Sequence, residues 1–92
     1  MIKKFRKKEL KDLFESGTCS KIGKHFHSRI TLILDMLDSA CVPEDLNFPG
    51  ANFHRLKGEF KNFYSVSVNG NWRIIFRFEN GNAYDVELID YH

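Results

Sequence analysis

The triplet Asn-Gly-Asn occurs twice, at positions 69–71 and 80–82, each time between runs rich in β-branched and aromatic residues. Asn-Gly supplies the positive φ that tight hairpins need, so residues 63–92 are predicted to form a three-stranded antiparallel meander. Side-chain alternation then selects the register. Three-residue loops set Val68 against Trp72, Val66 against Ile74 and Tyr64 against Phe76, and in the second hairpin Phe78 against Tyr84, Phe76 against Val86 and Ile74 against Leu88. That choice gathers the apolar residues on one face. A two-residue first loop would pair Val66 with Arg73 instead, and a slip of one residue turns a whole strand's apolar set over. Positive φ is then expected on an Asn as well as, or instead of, a Gly. The opposite face carries Arg73, Ile75 and Arg77, with Asp85, Glu87, Ile89 and Tyr91 on the last strand, and it delivers Asp90-Tyr91-His92 beside Arg73.

A chain of 92 residues is read as a single domain over 1–92, near the lower end of what can bury its own core. Nine Phe, three Tyr and one Trp supply the apolar material. No apolar run approaches the length of a membrane span, and the start MIKKFRKKELK is charged where a signal peptide would turn apolar. The expected setting is the cytoplasm, with no membrane partner. Cys19 and Cys41 match no zinc spacing and are expected as reduced thiols.

The net charge of +2 conceals a segregation. Residues 1–11 hold six basic groups and one acid, and residues 55–77 set Arg55, Lys57, Lys61, Arg73 and Arg77 against Glu59 alone. Two basic islands on a small domain point to a polyanionic partner. Lys3, Lys4, Arg6, Lys7 and Lys8 in the first island, and Arg55, Lys61 and Arg77 in the second, are the candidate nucleic-acid contacts. Arg77 also lies opposite Asp85, which predicts a cross-strand ion pair.

In chain order, Ile2 to Phe5 suggests a short edge strand. Leu10, Leu13 and Phe14 mark a first helix over residues 7–15 that Gly17 stops, and Phe26, Ile30, Ile33 and Leu37 mark a second from about Ser20 to Ala40. His25 and His27 lie about 200° apart around a helix and cannot grip one metal ion from a regular turn. Residues 46–52 read as an irregular loop, and residues 53–57 as a strand leading into the meander. The expected order is β-α-α-β-β-β-β, an α+β domain with two helices on one face of a mostly antiparallel sheet.

His54 and Lys57 in FHRLKG, Arg73 in NWRIIF, and Asp90, Tyr91 and His92 are the candidate catalytic residues. As types they suit RNA cleavage without a metal or cofactor. A 2′-hydroxyl must lose a proton to attack the adjacent phosphorus, the 5′-oxygen must gain one, and the phosphorane between them needs its charge stabilised. Histidine can serve either transfer. Arginine and lysine stabilise the charge, and an exposed tyrosine can stack on a base.

These motifs, in this order and nearly end to end, resemble the HigB-type toxins of the RelE superfamily: IKKF before a helix ending LFESG, then FHRLKG, NWRIIF, an Asn-Gly turn followed by Ala-Tyr, and a terminal Asp-Tyr-His. The resemblance implies a RelE-like domain that enters the ribosomal A site and cleaves mRNA there. It implies that His54 and His92 transfer protons in an order left open, that Lys57 and Arg73 hold the phosphate, that Asp90 orients a neighbour and that Tyr91 packs on the mRNA. It further implies a HigA-like helix-turn-helix antitoxin as partner, with operator DNA bound only through their complex. The alternative within the same fold is a ParE-like toxin that inhibits gyrase without nuclease activity.

Overall fold

A computed structural model describes residues 1–90. The first helical stripe forms α1, Lys8–Ser16, which buries Leu10 and Leu13. It ends because Gly17, at φ 82°, turns its N–H back to the Leu13 carbonyl. Helix α2, Lys24–Ser39, buries Ile30, Ile33, Leu34 and Leu37. It contains the whole apolar stripe but starts about one turn later than the expected start near Ser20. The chain at 20–22 turns instead, and His27 Nε2 holds that turn through the carbonyls of Cys19 and Ile22 at 3.2 and 2.8 Å. A short 3-10 turn, Pro43–Leu46, follows, with the Asp45 carboxylate accepting the N–H groups of Cys41 and Val42.

Four antiparallel strands then lie side by side in chain order: β1 (His54–Arg55), β2 (Tyr64–Asn69), β3 (Trp72–Glu79) and β4 (Asn82–Asp90). Strand β1 is only two residues long, shorter than expected. The chain leaves it at Leu56, passes through a second 3-10 turn, Gly58–Phe60, and is closed by Leu56 N–H on the Phe63 carbonyl at 2.9 Å. The N-terminal stretch does reach the sheet edge, where Ile2 and Phe5 bridge Ala83 and Val86 in the parallel sense. It makes two bridges instead of a continuous strand.

The register agrees with the apolar pattern where burial decides and departs from it at the turns. Val66 pairs with Ile74, Tyr64 with Phe76 and Ile74 with Leu88, as alternation requires. Next to each turn the pairing shifts by one. Asn69 pairs with Trp72, which leaves Val68 bulged, and Phe78 pairs with Ala83, not Tyr84. Both hairpins thus close through tight two-residue loops, and a bulge restores the register that the core demands. Asn80 and Gly81 take φ of 51° and 79°, matching the mirror-image turn that follows strand twist; in the first loop only Gly70 is positive. Arg29 ties the first bulge to α2, donating to the carbonyls of Val68 and Ser67 at 3.0 and 3.5 Å.

The helices cover one sheet face. Val66, Ile74, Phe76 and Val86 are fully buried there against Leu13, Ile30, Ile33 and Leu37. The other face carries a second, smaller core of Leu56, Phe63 and Ile75, flanked by Phe60 and Ile89. No helix among the described residues is long and apolar enough to cross a membrane.

Candidate active site

Strand pairing sets four side chains in one row on the face away from the helices: His54, Ser65, Ile75 and Glu87. The next row holds Ser67, Arg73 and Ile89. His54 and Arg73 therefore share a face, separated by β2. Ser65 joins them. It is fully buried, pairs with His54 through the backbone, and its Oγ accepts a hydrogen bond from Arg73 Nη1 at 3.3 Å. That bond aims the guanidinium along the sheet towards the histidine's row.

The His54 ring is fixed by its own backbone. Nδ1 lies 3.0 Å from the carbonyl of Asn52, a residue held at φ 47°. A carbonyl only accepts, so Nδ1 carries the proton, and in the neutral ring Nε2 offers its lone pair outward. Lys57 is exposed on the loop after β1, where it lines one open groove together with His54, Gly58 and Phe60. The mini-core of Leu56 and Phe63 on Ile75 holds that loop against the sheet.

Asp90 is exposed and pairs with Trp72, while Arg73 pairs with Ile89, as alternation predicted. Asp90 thus follows Arg73's partner directly but shares the face of Trp72. Tyr91 and His92, the remaining two candidates, lie outside the described residues. A separate groove on the helix side, lined by Leu10, Ile22, Phe26 and Trp72, includes neither His54, Lys57 nor Arg73.

The basic islands flank this face and are partly matched by acids. Lys4 pairs with Asp85 at 3.8 Å, and Arg6 and Lys7 with Glu87 at 3.6 and 3.5 Å, while all three cations remain exposed. Lys3 and Lys8 are also exposed. Arg55 donates to the Lys61 carbonyl at 3.2 Å and lies over the Tyr64 ring; Lys61 itself faces solvent. Arg77 forms the expected pair with Asp85 at 2.8 Å, reaches Glu79 at 2.6 Å and covers the Tyr84 ring. Its hydrogen bond holds the Asp85 carboxyl below the usual carboxylate range, against the opposing effect of burial. Arg77 is raised in turn by the same bond. Arg77 is thereby the candidate contact most committed to the protein itself.

Two participants are not apparent from the sequence. Ser65 and Asn52 are small polar residues next to apolar neighbours, and only the register reveals that one meets Arg73 and the other His54. The signal available for Ser65 was its predicted pairing opposite Ile75, diagonal to Arg73.

Comparison with known proteins finds a matching family and two similar relatives. Residues 3–92 match the family model described as RelE-like toxin of type II toxin-antitoxin system HigB. The chain is 41% identical over 92 residues to Endoribonuclease HigB of Proteus vulgaris, covering 100% of both chains. It is 30% identical over 90 residues to Toxin HigB-1 of Vibrio cholerae serotype O1, covering 96% of this chain and 95% of that one.

Proposed function

The chain belongs to the HigB-like, RelE-type toxins of type II toxin-antitoxin systems, and on that premise we propose that it is an endoribonuclease that cleaves mRNA in the ribosomal A site. The relative named an endoribonuclease, aligned from end to end, supports the activity. The observation that carries the mechanism is the placement of His54, Ser65 and Arg73 on the sheet face away from the helices, with Arg73 bonded to Ser65.

His54 is the general base. Its Nδ1–H is bound to the Asn52 carbonyl, so Nε2 takes the proton of the 2′-hydroxyl. The 2′-oxygen attacks the adjacent phosphorus, Arg73 and Lys57 stabilise the phosphorane, and the bond to the 5′-oxygen breaks. His92 returns a proton to that oxygen, leaving a 2′,3′-cyclic phosphate and a 5′-hydroxyl. Asp90 orients His92, and Tyr91 packs on a base of the mRNA. The exposed Lys3, Lys4, Arg6, Lys7 and Lys8, with Arg55 and Lys61, face ribosomal RNA or the message backbone.

Family membership brings a protein antitoxin as partner. We take it to be a HigA-like helix-turn-helix protein through which alone the pair meets operator DNA. The test is to map mRNA 5′ ends after brief induction of the wild type, His54→Ala and His92→Ala. New ends at fixed codon positions within translated frames, absent from both variants, are expected. Growth arrest without new ends, accompanied by broken chromosomal DNA, would overturn the nuclease in favour of gyrase inhibition.

A further inference from the structure

Counted from the Asn80-Gly81 turn, β4 contains one residue more than β3 can match. Arg77, Phe78 and Glu79 pair with Tyr84, Ala83 and Asn82, whereas Ile75, Ile74, Arg73 and Trp72 pair with Glu87, Leu88, Ile89 and Asp90. The surplus falls opposite Phe76. There Asp85 takes φ 53°, a left-handed conformation that Asp, Asn and Gly tolerate and that β-branched side chains resist. Arg77 Nε and Lys4 Nζ hold its carboxylate at 2.8 and 3.8 Å. On the outer edge, Val86 is fastened by the Lys4 carbonyl and the Arg6 N–H at 3.1 and 3.0 Å.

This bulge turns over the rest of β4 as far as Asp90. Ala83 and Val86 both join the helix-side core although they are three residues apart, a spacing that would put them on opposite faces of a regular strand. Past the bulge, Leu88 packs on the helix side and Ile89 joins the small core on Arg73's face. Were the turn's register to continue unbroken, Leu88 would sit opposite Arg73 and Ile89 would point at the helices. Bulges of this kind re-aim side chains beside functional sites.

We infer that Asp85 is a positioning residue for RNA cleavage: its left-handed backbone, locked by Arg77 and Lys4, selects which residues of the far end of β4 share a face with Arg73 and His54. The inference rests on the endoribonuclease reading above, and what matters is the backbone conformation, with the charge as its lock.

The test compares Asp85→Asn, Asp85→Gly and Asp85→Val in two measurements. One is kcat and KM for cleavage of a message on programmed ribosomes; the other is the cross-strand nuclear Overhauser effect between Arg73 and Ile89. Asn and Gly accept positive φ and are expected to stay within about threefold of wild type in kcat with the Overhauser effect intact. Val is expected to fall about thirtyfold in kcat, with KM little changed, and to show no such effect. Asp85→Ala carries the same kind of backbone penalty without the β-branch and serves if Val does not fold. Retention of both kcat and the Overhauser effect in Val and Ala overturns the inference, as does a fall in Gly as deep as in Val, which would assign the role to the carboxylate. A wild type that cleaves no RNA defeats the nuclease reading alone. The proximity of Arg73 and Ile89 then still decides whether Asp85 sets the register.

Discussion

His54 is oriented by a backbone carbonyl that no side-chain substitution removes. His54→Ala is expected to lower kcat by about 100-fold or more while leaving the melting temperature within a few degrees, since the ring lies outside both cores. Arg73→Lys keeps the charge but loses the fork, and a fall of about 100-fold in single-turnover cleavage is expected. Asp85 gives a prediction of a different kind. Its carboxyl is depressed in the folded chain, so the stability it supplies is present above the unfolded value of 3.8 and is lost as pH falls through the lower folded value. The urea midpoints of wild type and Asp85→Asn should differ at pH 7 and converge on acidification below that range. The candidate catalytic types could be named from the sequence because histidine, lysine and arginine advertise their chemistry. Ser65 and Asn52 could not, because a small polar side chain acquires a role only from what the register sets beside it.

At the scale of elements, the segment from Leu56 to Phe63 acts as a strap across the open sheet face. Its underside fills a small core on Ile75, and its start carries Lys57 next to β1. Phe63→Ala should cost about 3 kcal/mol, at the low end for a buried phenylalanine because its cluster is small, and should also depress cleavage by the remaining folded protein. Ile33→Ala should destabilise comparably without that kinetic defect, since Ile33 packs in the helix-side core; denaturation and single-turnover rates measured side by side separate the two. Both helices, the antiparallel order and the central pairs of the meander were legible because burial repeats at 3.6 or 2 residues. The two bulges were hidden, since each is the compromise between a tight turn and a core that wants opposite registers. The late start of α2 was hidden too: nothing in the spacing of His27 shows that its ring meets the carbonyls of Cys19 and Ile22.

Over the whole molecule, charge is sorted against the fold. The N-terminal basic stretch runs along β4, whose Asp85 and Glu87 partly neutralise it while the cations stay in water. Such exposed pairs contribute little to stability, so replacing Lys3, Lys7 and Lys8 with Ala should leave the melting temperature nearly unchanged. Ribosome affinity should weaken, and the slope of log K against log salt should fall by about 2, from roughly 0.7 for each phosphate no longer neutralised. An unchanged slope would remove these lysines from the RNA interface. The parallel bridges from Ile2 to Ala83 and from Phe5 to Val86 also have a bearing on how the chain is made. Both helices are synthesised well before the strands they cover, and the first residues find their neighbours only when the last strand exists. Contacts between segments so far apart in sequence are the slow ones to form. A ribosome translating this chain therefore carries no finished toxin of its own making until nearly the whole chain has been synthesised.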